Sequence, residues 1–266
     1  MNCEDFSKLP IYLIGAGNVA THLGIAFHRS GIAIKSVWSR NIDNALSLSK
    51  NINSDYTDNL NDINNEKAVY IISVPDIAIS NISKTLGKNN SILIHTSGST
   101  SIDILQSYSE NYGVFYPLQT FSKTTKDIEF KGIPVLIEYS NNLVNELLIS
   151  WCNLIGVKST NSDSEQRMKL HIAAVFVNNF TNHMFAIAQE LSETYKIDFN
   201  LLRPLISETF EKIKSFKPKD IQTGPAIRND HVTIKKHIES LSNNPDFAKI
   251  YSFVSESIIQ IHKKEK

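Results

Sequence analysis

A four-residue apolar run that breaks into glycines and resumes as a helix constrains this chain more than any other feature. Ile11-Tyr12-Leu13-Ile14 has the length and residue types of a strand buried on both faces. Gly15-Ala16-Gly17-Asn18-Val19-Ala20 follows, then an apolar helix pattern (Val19, Leu23, Ile25, Ala26, Phe27) that stops at Gly31. A G-x-G-x-x-A turn between a strand and a helix is the dinucleotide-binding fingerprint in the context that gives it meaning. Gly15 permits the tight turn. Gly17 lets backbone N–H groups approach a pyrophosphate, and Ala20 lets the helix lie close on the strand. The free N–H groups and positive dipole end of the helix then face the phosphates. Gly15, Ala16, Gly17, Asn18 and Val19 are therefore the expected cofactor-binding turn. The same geometry also serves S-adenosylmethionine sites, and some glycine-rich turns bind nothing.

The second apolar run, Ile32 to Trp38, bears on which dinucleotide is held. An NAD site usually carries Asp or Glu at this strand end for the ribose 2′-hydroxyl. Here the strand runs into Ser39-Arg40-Asn41, and no acid lies between Ser36 and Ile42. A hydroxyl, a guanidinium and an amide suit a 2′-phosphate, and the Arg fork donates two N–H bonds to it. A charge-assisted bond of this kind adds about 1.5–3 kcal/mol, which is about a 10- to 150-fold preference for NADP(H). The plainer alternative is a surface Arg that follows a strand.

Short apolar runs at 11–14, 34–38, 69–74, 91–95, 113–116 and 133–138 alternate with helical patterns. That alternation predicts βαβ units around a mostly parallel sheet. The Asn- and Asp-rich stretch from Asn51 to Asn65 reads as loops around a short strand and helix. After Asn141 the strand signals stop. Leu143 to Ile155 is an amphipathic helix, and Ser162-Asp163-Ser164-Glu165 fits a capping box with Ser162 as cap. A long helix is predicted over about 163–194, apolar nearly all round from Ile172 to Val177 and hence destined for a domain or subunit centre. Helices are predicted also over about 198–215, 229–242 and 245–263. The fold class is α/β: a Rossmann dinucleotide-binding domain over residues 1–158, then an all-helical domain over 159–266.

Composition excludes several partners. The 27 basic and 27 acidic residues balance, so nucleic acid and anionic membrane surfaces are poor fits. Met1 to Phe6 has neither the basic nor the apolar stretch of a signal peptide. Ile172 to Leu191 is the longest apolar stretch, but Asn178, Asn179, Asn182 and His183 make it too polar to span a bilayer. Cys3 and Cys152 form no C-x-x-C, which favours a reducing cytoplasm over a thiol redox role. The histidines have no clustered ligand spacing, so no metal is expected.

Ligands of open α/β sheets bind at the C-terminal ends of the strands, and three further ends carry informative residues. Ser73-Val74-Pro75 is placed to pass beneath the cofactor ribose and nicotinamide. His95-Thr96-Ser97-Gly98-Ser99 is a polar cluster straight after an apolar strand. His95 reads equally as a buried imidazole holding its own loop and as a contact to substrate or cofactor. Thr96 is counted with the cofactor contacts or with a local cap. Tyr116-Pro117-Leu118-Gln119-Thr120-Phe121 is the third, and Tyr116 fits the core as well as a site. On the long helix His171, Asn178 and Asn182, at i, i+7 and i+11, share one face. Such a stripe costs desolvation unless partnered. It fits a face toward the nicotinamide, with proton donation by His171 and substrate positioning by Asn178, or a polar seam at a domain or dimer contact. Thr223-Gly224-Pro225-Ala226-Ile227-Arg228-Asn229-Asp230 is a turn whose Asp230 caps the next helix. Its Arg228 is placed for an anionic substrate or a partner subunit.

These motifs together resemble a bacterial family in which a Rossmann-like domain precedes a domain of unknown function, DUF2520. The resemblance rests on the glycine fingerprint, His95–Ser99, Tyr116–Phe121, Ala173-Ala174-Val175-Phe176-Val177-Asn178-Asn179-Phe180 and Thr223–Ala226, and so covers nearly the whole chain. The family looks like a branch of the 6-phosphogluconate dehydrogenase-like superfamily, with pyrroline-5-carboxylate reductase and ketopantoate reductase. The resemblance implies a nicotinamide cofactor, a helical C-terminal domain and a homodimer joined through it. It places cofactor contacts on Gly15, Gly17, Asn18, Val19, Ser39, Arg40 and the Val74-Pro75 loop. Relatives with a lysine-assisted mechanism carry that lysine four residues before a helix Asn; here the position is Ala174. Three functions fit these residues. One is NADP(H)-dependent hydride transfer to a small C=N or C=O substrate that carries a carboxylate. Another is a non-catalytic NADP(H) sensor. The third, S-adenosylmethionine-dependent methyl transfer, is disfavoured by Ser39-Arg40.

Overall fold

The computed structural model describes residues 9–63, 67–86, 91–122 and 129–263. Met1 to Phe6, with Cys3, lies outside the described residues, as do the last two residues of the Asn-rich stretch. Contacts gather the chain into two compact units that divide between Asn179 and Phe180.

The first unit is built on one eight-stranded sheet in the order β3-β2-β1-β4-β5-β6-β7-β8. The strands are β1 (Ile11–Ile14), β2 (Ile34–Trp38), β3 (Asp55–Thr57), β4 (Val69–Ile72), β5 (Ile92–His95), β6 (Asn111–Pro117), β7 (Val135–Tyr139) and β8 (Ser159–Asn161). All pairs are parallel except β6–β7. The short strand and helix expected within the Asn-rich stretch are β3 and a four-residue 3₁₀ helix, Leu60–Ile63. The polar strand β8 has no counterpart among the sequence signals. Ser159, Thr160 and Asn161 pair through their backbones with Val135, Leu136 and Ile137 at the sheet edge, where neither face has to be apolar.

Helices α1 (Asn18–Arg29), α2 (Ile42–Ile52), α3 (Asp76–Leu86) and α4 (Asn142–Leu154) flank the sheet. Alternation along each strand sends side chains to two cores. Leu13, Val37, Ile71 and Phe115 join Leu23, Phe27 and Trp151 in one; Tyr12, Ile14, Tyr70 and Ile72 join Ile79, Leu86 and Leu105 in the other. Strands buried on both faces explain why the runs read as continuously apolar.

The predicted capping box is displaced by one residue. Asp163, not Ser162, caps α5 (Ser164–Ala174): its carboxylate accepts from Gln166 N at 2.7 Å, and Gln166 Oε1 accepts from Asp163 N. D-x-x-Q satisfies the same donors as S-x-x-E, and a charged cap gains more from the helix dipole. The predicted long helix is also interrupted. A π-helical turn over Val175–Phe180 separates α5 from α6 (Thr181–Thr194). Within the single chain the apolar belt is not buried: Ile172, Phe176 and Val177 are 50%, 63% and 73% exposed.

The second unit is helical, with α6, α7 (Arg203–Ser215), α8 (His231–Ser240) and α9 (Pro245–Lys263). As expected, Asp230 caps α8, accepting from Thr233 N at 3.0 Å and from its hydroxyl at 2.7 Å. Neither α7 nor α8 has a fully buried residue. Among the described residues no helix is long and apolar enough to cross a membrane.

Candidate functional site

A cavity of about 860 Å³ opens at the C-terminal ends of β1, β4, β5 and β6 and is closed along one side by α5 and the π turn. Its first wall is the glycine turn. Gly15 has φ +116°, and a Cβ there would lie 2.1 Å from the Ser73 carbonyl oxygen, so only glycine fits. Gly15 N donates to Trp38 O and Ser73 N to Ile14 O, each at 2.7 Å, which locks the turn between neighbouring strands. A Cβ on Gly17 would meet no heavy atom within 4 Å. That open face adjoins the start of α1, which has neither a side-chain cap nor an acid in its first turn. Unsatisfied N–H groups beside open space are what a pyrophosphate requires. Gly17, Asn18 and Val19 line the cavity; Gly15 and the buried Ala16 support the turn from behind.

The end of β2 stands apart from the cavity lining. Asn41 Oδ1 is occupied as the cap of α2, accepting from Asn44 N at 3.1 Å. Ser39 Oγ accepts from Asn41 N at 3.3 Å. Arg40 is exposed and forms no ion pair among the described residues.

Ser73, Val74, Pro75 and Thr96 do line the cavity. The Thr96 hydroxyl donates to Ser73 Oγ at 3.1 Å, joining the ends of β4 and β5. Beside them the Ser99 hydroxyl donates to Asp76 Oδ2. His95 is fully buried and does not line the cavity. Its Nδ1 accepts from Ser97 N at 3.1 Å, the geometry of an imidazole that holds its own loop. Burial, reinforced by the Arg167 charge, lowers its pKa to about 3. Unfolded, the same group titrates near 6.5, so between those values the unfolded chain binds the extra proton. Stability therefore falls as pH drops from about 6.5 towards 3. Urea melts at neutral pH and at about pH 4 are expected to reveal the loss, with a shallower slope in His95→Asn; equal slopes would assign it to other groups.

The opposite wall brings His171 and Asn178 to the cavity together. Asn182 lies beyond the π turn, in the second unit, and is exposed. An i→i+5 turn adds a residue to the helical repeat and alters the phase of whatever follows it. His171 Nδ1 is 3.0 Å from the Tyr116 hydroxyl. Burial raises the Tyr116 pKa, opposed in part by Arg167.

Arg167 is the residue that sequence reasoning missed. Its side chain is 1% exposed and paired with Glu138 of β7. It also donates to Thr100 O at 2.5 Å and to Ser164 Oγ at 3.2 Å. Glu138 accepts from Ser164 N at 3.0 Å, and Ser164 Oγ accepts from Ile102 N at 2.9 Å. This network ties α5, β7 and the loop after β5 into one body, and His171 stands one turn beyond Arg167. The available signal was a lone Glu ending the apolar run 133–138.

The chain matches two family models in succession, and the second spans both compact units. Residues 4–119 match the family described as Rossmann-like domain, and residues 133–258 match the domain of unknown function DUF2520. No curated protein matches the chain. A structure described as a candidate NADP oxidoreductase from Bacteroides fragilis is 39% identical, covers 96% of this chain and 99% of its own, and superposes with TM-score 0.89. A Thermotoga maritima protein is 20% identical over 96% of this chain and 99% of its own, with TM-score 0.68. An imine reductase from Myxococcus stipitatus in complex with NADP+ is 16% identical over 96% of this chain and 93% of its own, with TM-score 0.59. At these last two identities the likeness is one of fold.

Proposed function

Because the chain belongs to the family that joins a Rossmann-like domain to a DUF2520 domain, we propose that it is an oxidoreductase. It uses NADP(H) and moves hydride to or from a small C=N or C=O substrate. The observation that carries this reading is a single cavity with the open Gly17 cradle at the uncapped start of α1 on one wall and His171 and Asn178 on another. The 39% identical structure described as a candidate NADP oxidoreductase supports it.

When bound, the nicotinamide supplies the hydride. The N–H groups around Gly17, Asn18 and Val19 would hold the pyrophosphate, and Ser39 and Arg40 would hold the 2′-phosphate. Ser73, Val74, Pro75 and Thr96, which line the cavity, would hold the ribose and nicotinamide. Where the C=O or C=N group arrives unprotonated, His171 would supply the proton at its heteroatom, and Asn178 would orient the substrate. A C=N group that arrives protonated needs no strong protein acid, which agrees with Ala174 at the lysine position. Ala174 also favours the second reading, an NADP(H) sensor without chemistry.

The chain works as a homodimer in this reading. Phe176 and Val177 on the π turn, and Leu201, Leu205, Val232 and Phe253 in the second unit, are 63–74% exposed. A second copy would bury such surface.

Titration with NADPH and with NADH, followed by nicotinamide fluorescence, tests the cofactor. NADPH is expected to bind more tightly. Arg40→Ala is expected to weaken NADPH binding about 10- to 150-fold and NADH binding little. Equal losses would remove Arg40 from the 2′-phosphate site, and binding of neither nucleotide would end the reductase and sensor readings alike.

A further inference from the structure

Tyr116 has no role in the reaction so far, although it makes the one described hydrogen bond to the His171 ring. The two residues come from different elements, β6 and α5, and meet with the hydroxyl 3.0 Å from Nδ1. The rings stand edge to face at 72°, with centroids 6.0 Å apart. Gly98 lies against the junction. A Cβ there would sit 2.7 Å from His171 Nδ1 and 2.7 Å from Tyr116 Cζ. A side chain at this position would push the two rings apart, so the glycine is a condition for their meeting. Both residues line the cavity. With Nδ1 engaged, Nε2 is the ring nitrogen left for a ligand.

The chemistry of the two groups sets the direction of the bond. A phenol is the stronger acid and the better donor, and a neutral imidazole nitrogen is the better acceptor. Burial holds the Tyr116 proton in place at neutral pH. In a neutral imidazole one nitrogen donates and the other accepts, and the bond at one fixes the state of the other.

We propose that Tyr116 is the positioning residue for His171: its hydroxyl donates to Nδ1 and holds the neutral ring as the Nε2–H tautomer, presenting that N–H to the cavity. The use of this N–H rests on the reductase reading, in which it donates a hydrogen bond to the oxygen of a C=O group or to the nitrogen of a C=N group that is not already protonated. The bond itself does not depend on that reading. Arg167, anchored to Glu138 and the Thr100 carbonyl one turn before His171, fixes the helix from which the ring projects.

The test needs no substrate. Full-length protein labelled with ring-15N histidine is measured by long-range 1H–15N spectra at about pH 8, above the ordinary titration of histidine. Loss of signals in His171→Gln identifies the ring. The wild type is expected to hold a single tautomer, with the proton on Nε2 and Nδ1 as acceptor. Tyr116→Phe keeps the ring and removes the hydroxyl, and a measurable Nδ1–H population is expected to appear. Gly98→Ala keeps the hydroxyl and separates the rings, and the same change is expected. A wild-type proton on Nδ1, or His171 signals unmoved in the folded variants, would overturn the proposal. Titrating the same wild-type sample with NADPH separates the two readings. A tautomer that depends on Tyr116 without NADPH binding would leave the bond standing and remove the reductase; NADPH binding with an indifferent tautomer would do the reverse.

Discussion

Arg167→Ala is expected to lower the unfolding free energy by about 3–5 kcal/mol, the range for removing one partner of a buried ion pair. Domains of this kind have about 5–15 kcal/mol in total, so the loss is large. The physical reason is the charge left behind. Glu138 is mostly buried and keeps Ser164 N and Oγ as donors, but it loses its cation. The Thr100 carbonyl and Ser164 hydroxyl lose donors at the same time. Urea melts followed by circular dichroism measure the change. Replacing both partners with apolar residues, Arg167→Met with Glu138→Leu, is expected to recover part of it, because no charge is then stranded. A loss below about 1 kcal/mol in Arg167→Ala would mean that the pair behaves like an exposed one. The damage is expected to extend to the cavity, since Arg167 fixes the helix that presents His171.

His171→Ala is expected to lower kcat about 100-fold or more, with the fold and NADPH binding intact. The ring stands on the cavity wall with one nitrogen held by Tyr116 and the other available. General acid catalysis contributes about 10²–10⁴-fold when the donor is placed at the reacting atom. The measurement is kcat on a C=O compound, or a C=N compound unprotonated at the assay pH, that supports NADPH oxidation. An unchanged kcat would remove His171 from the mechanism and leave the proton to come with the substrate or from solvent.

The parts of the protein legible in advance are those with a short-range cause. Gly15 must be glycine because the turn needs positive φ and the Ser73 carbonyl leaves no room, and both demands act within one βα unit and its neighbouring strand. The apolar runs marked six of the strands because both sheet faces are covered, so these strands are apolar over most of their length. Strand β8 escaped because it lies at an edge and pairs through backbone groups that every residue carries. The interruption of the long helix escaped too, since an α-helical and a π-helical turn have the same composition. With it went the stripe of His171, Asn178 and Asn182, of which the first two reach the cavity.

The residues Ile11 to Ala20 by themselves determined the class of fold, because an apolar strand, a turn that only glycine can make and a helix start within one short stretch specify the opening βα unit of a Rossmann-like domain. Only the tertiary structure decided the rest of the site. Tyr116 and His171 are 55 positions apart, as Arg167 and Glu138 are 29 apart. Their partnerships arise from how α5 packs on β6 and β7. No local pattern encodes that packing, because each of these residues taken alone is an ordinary occupant of a helix or a strand.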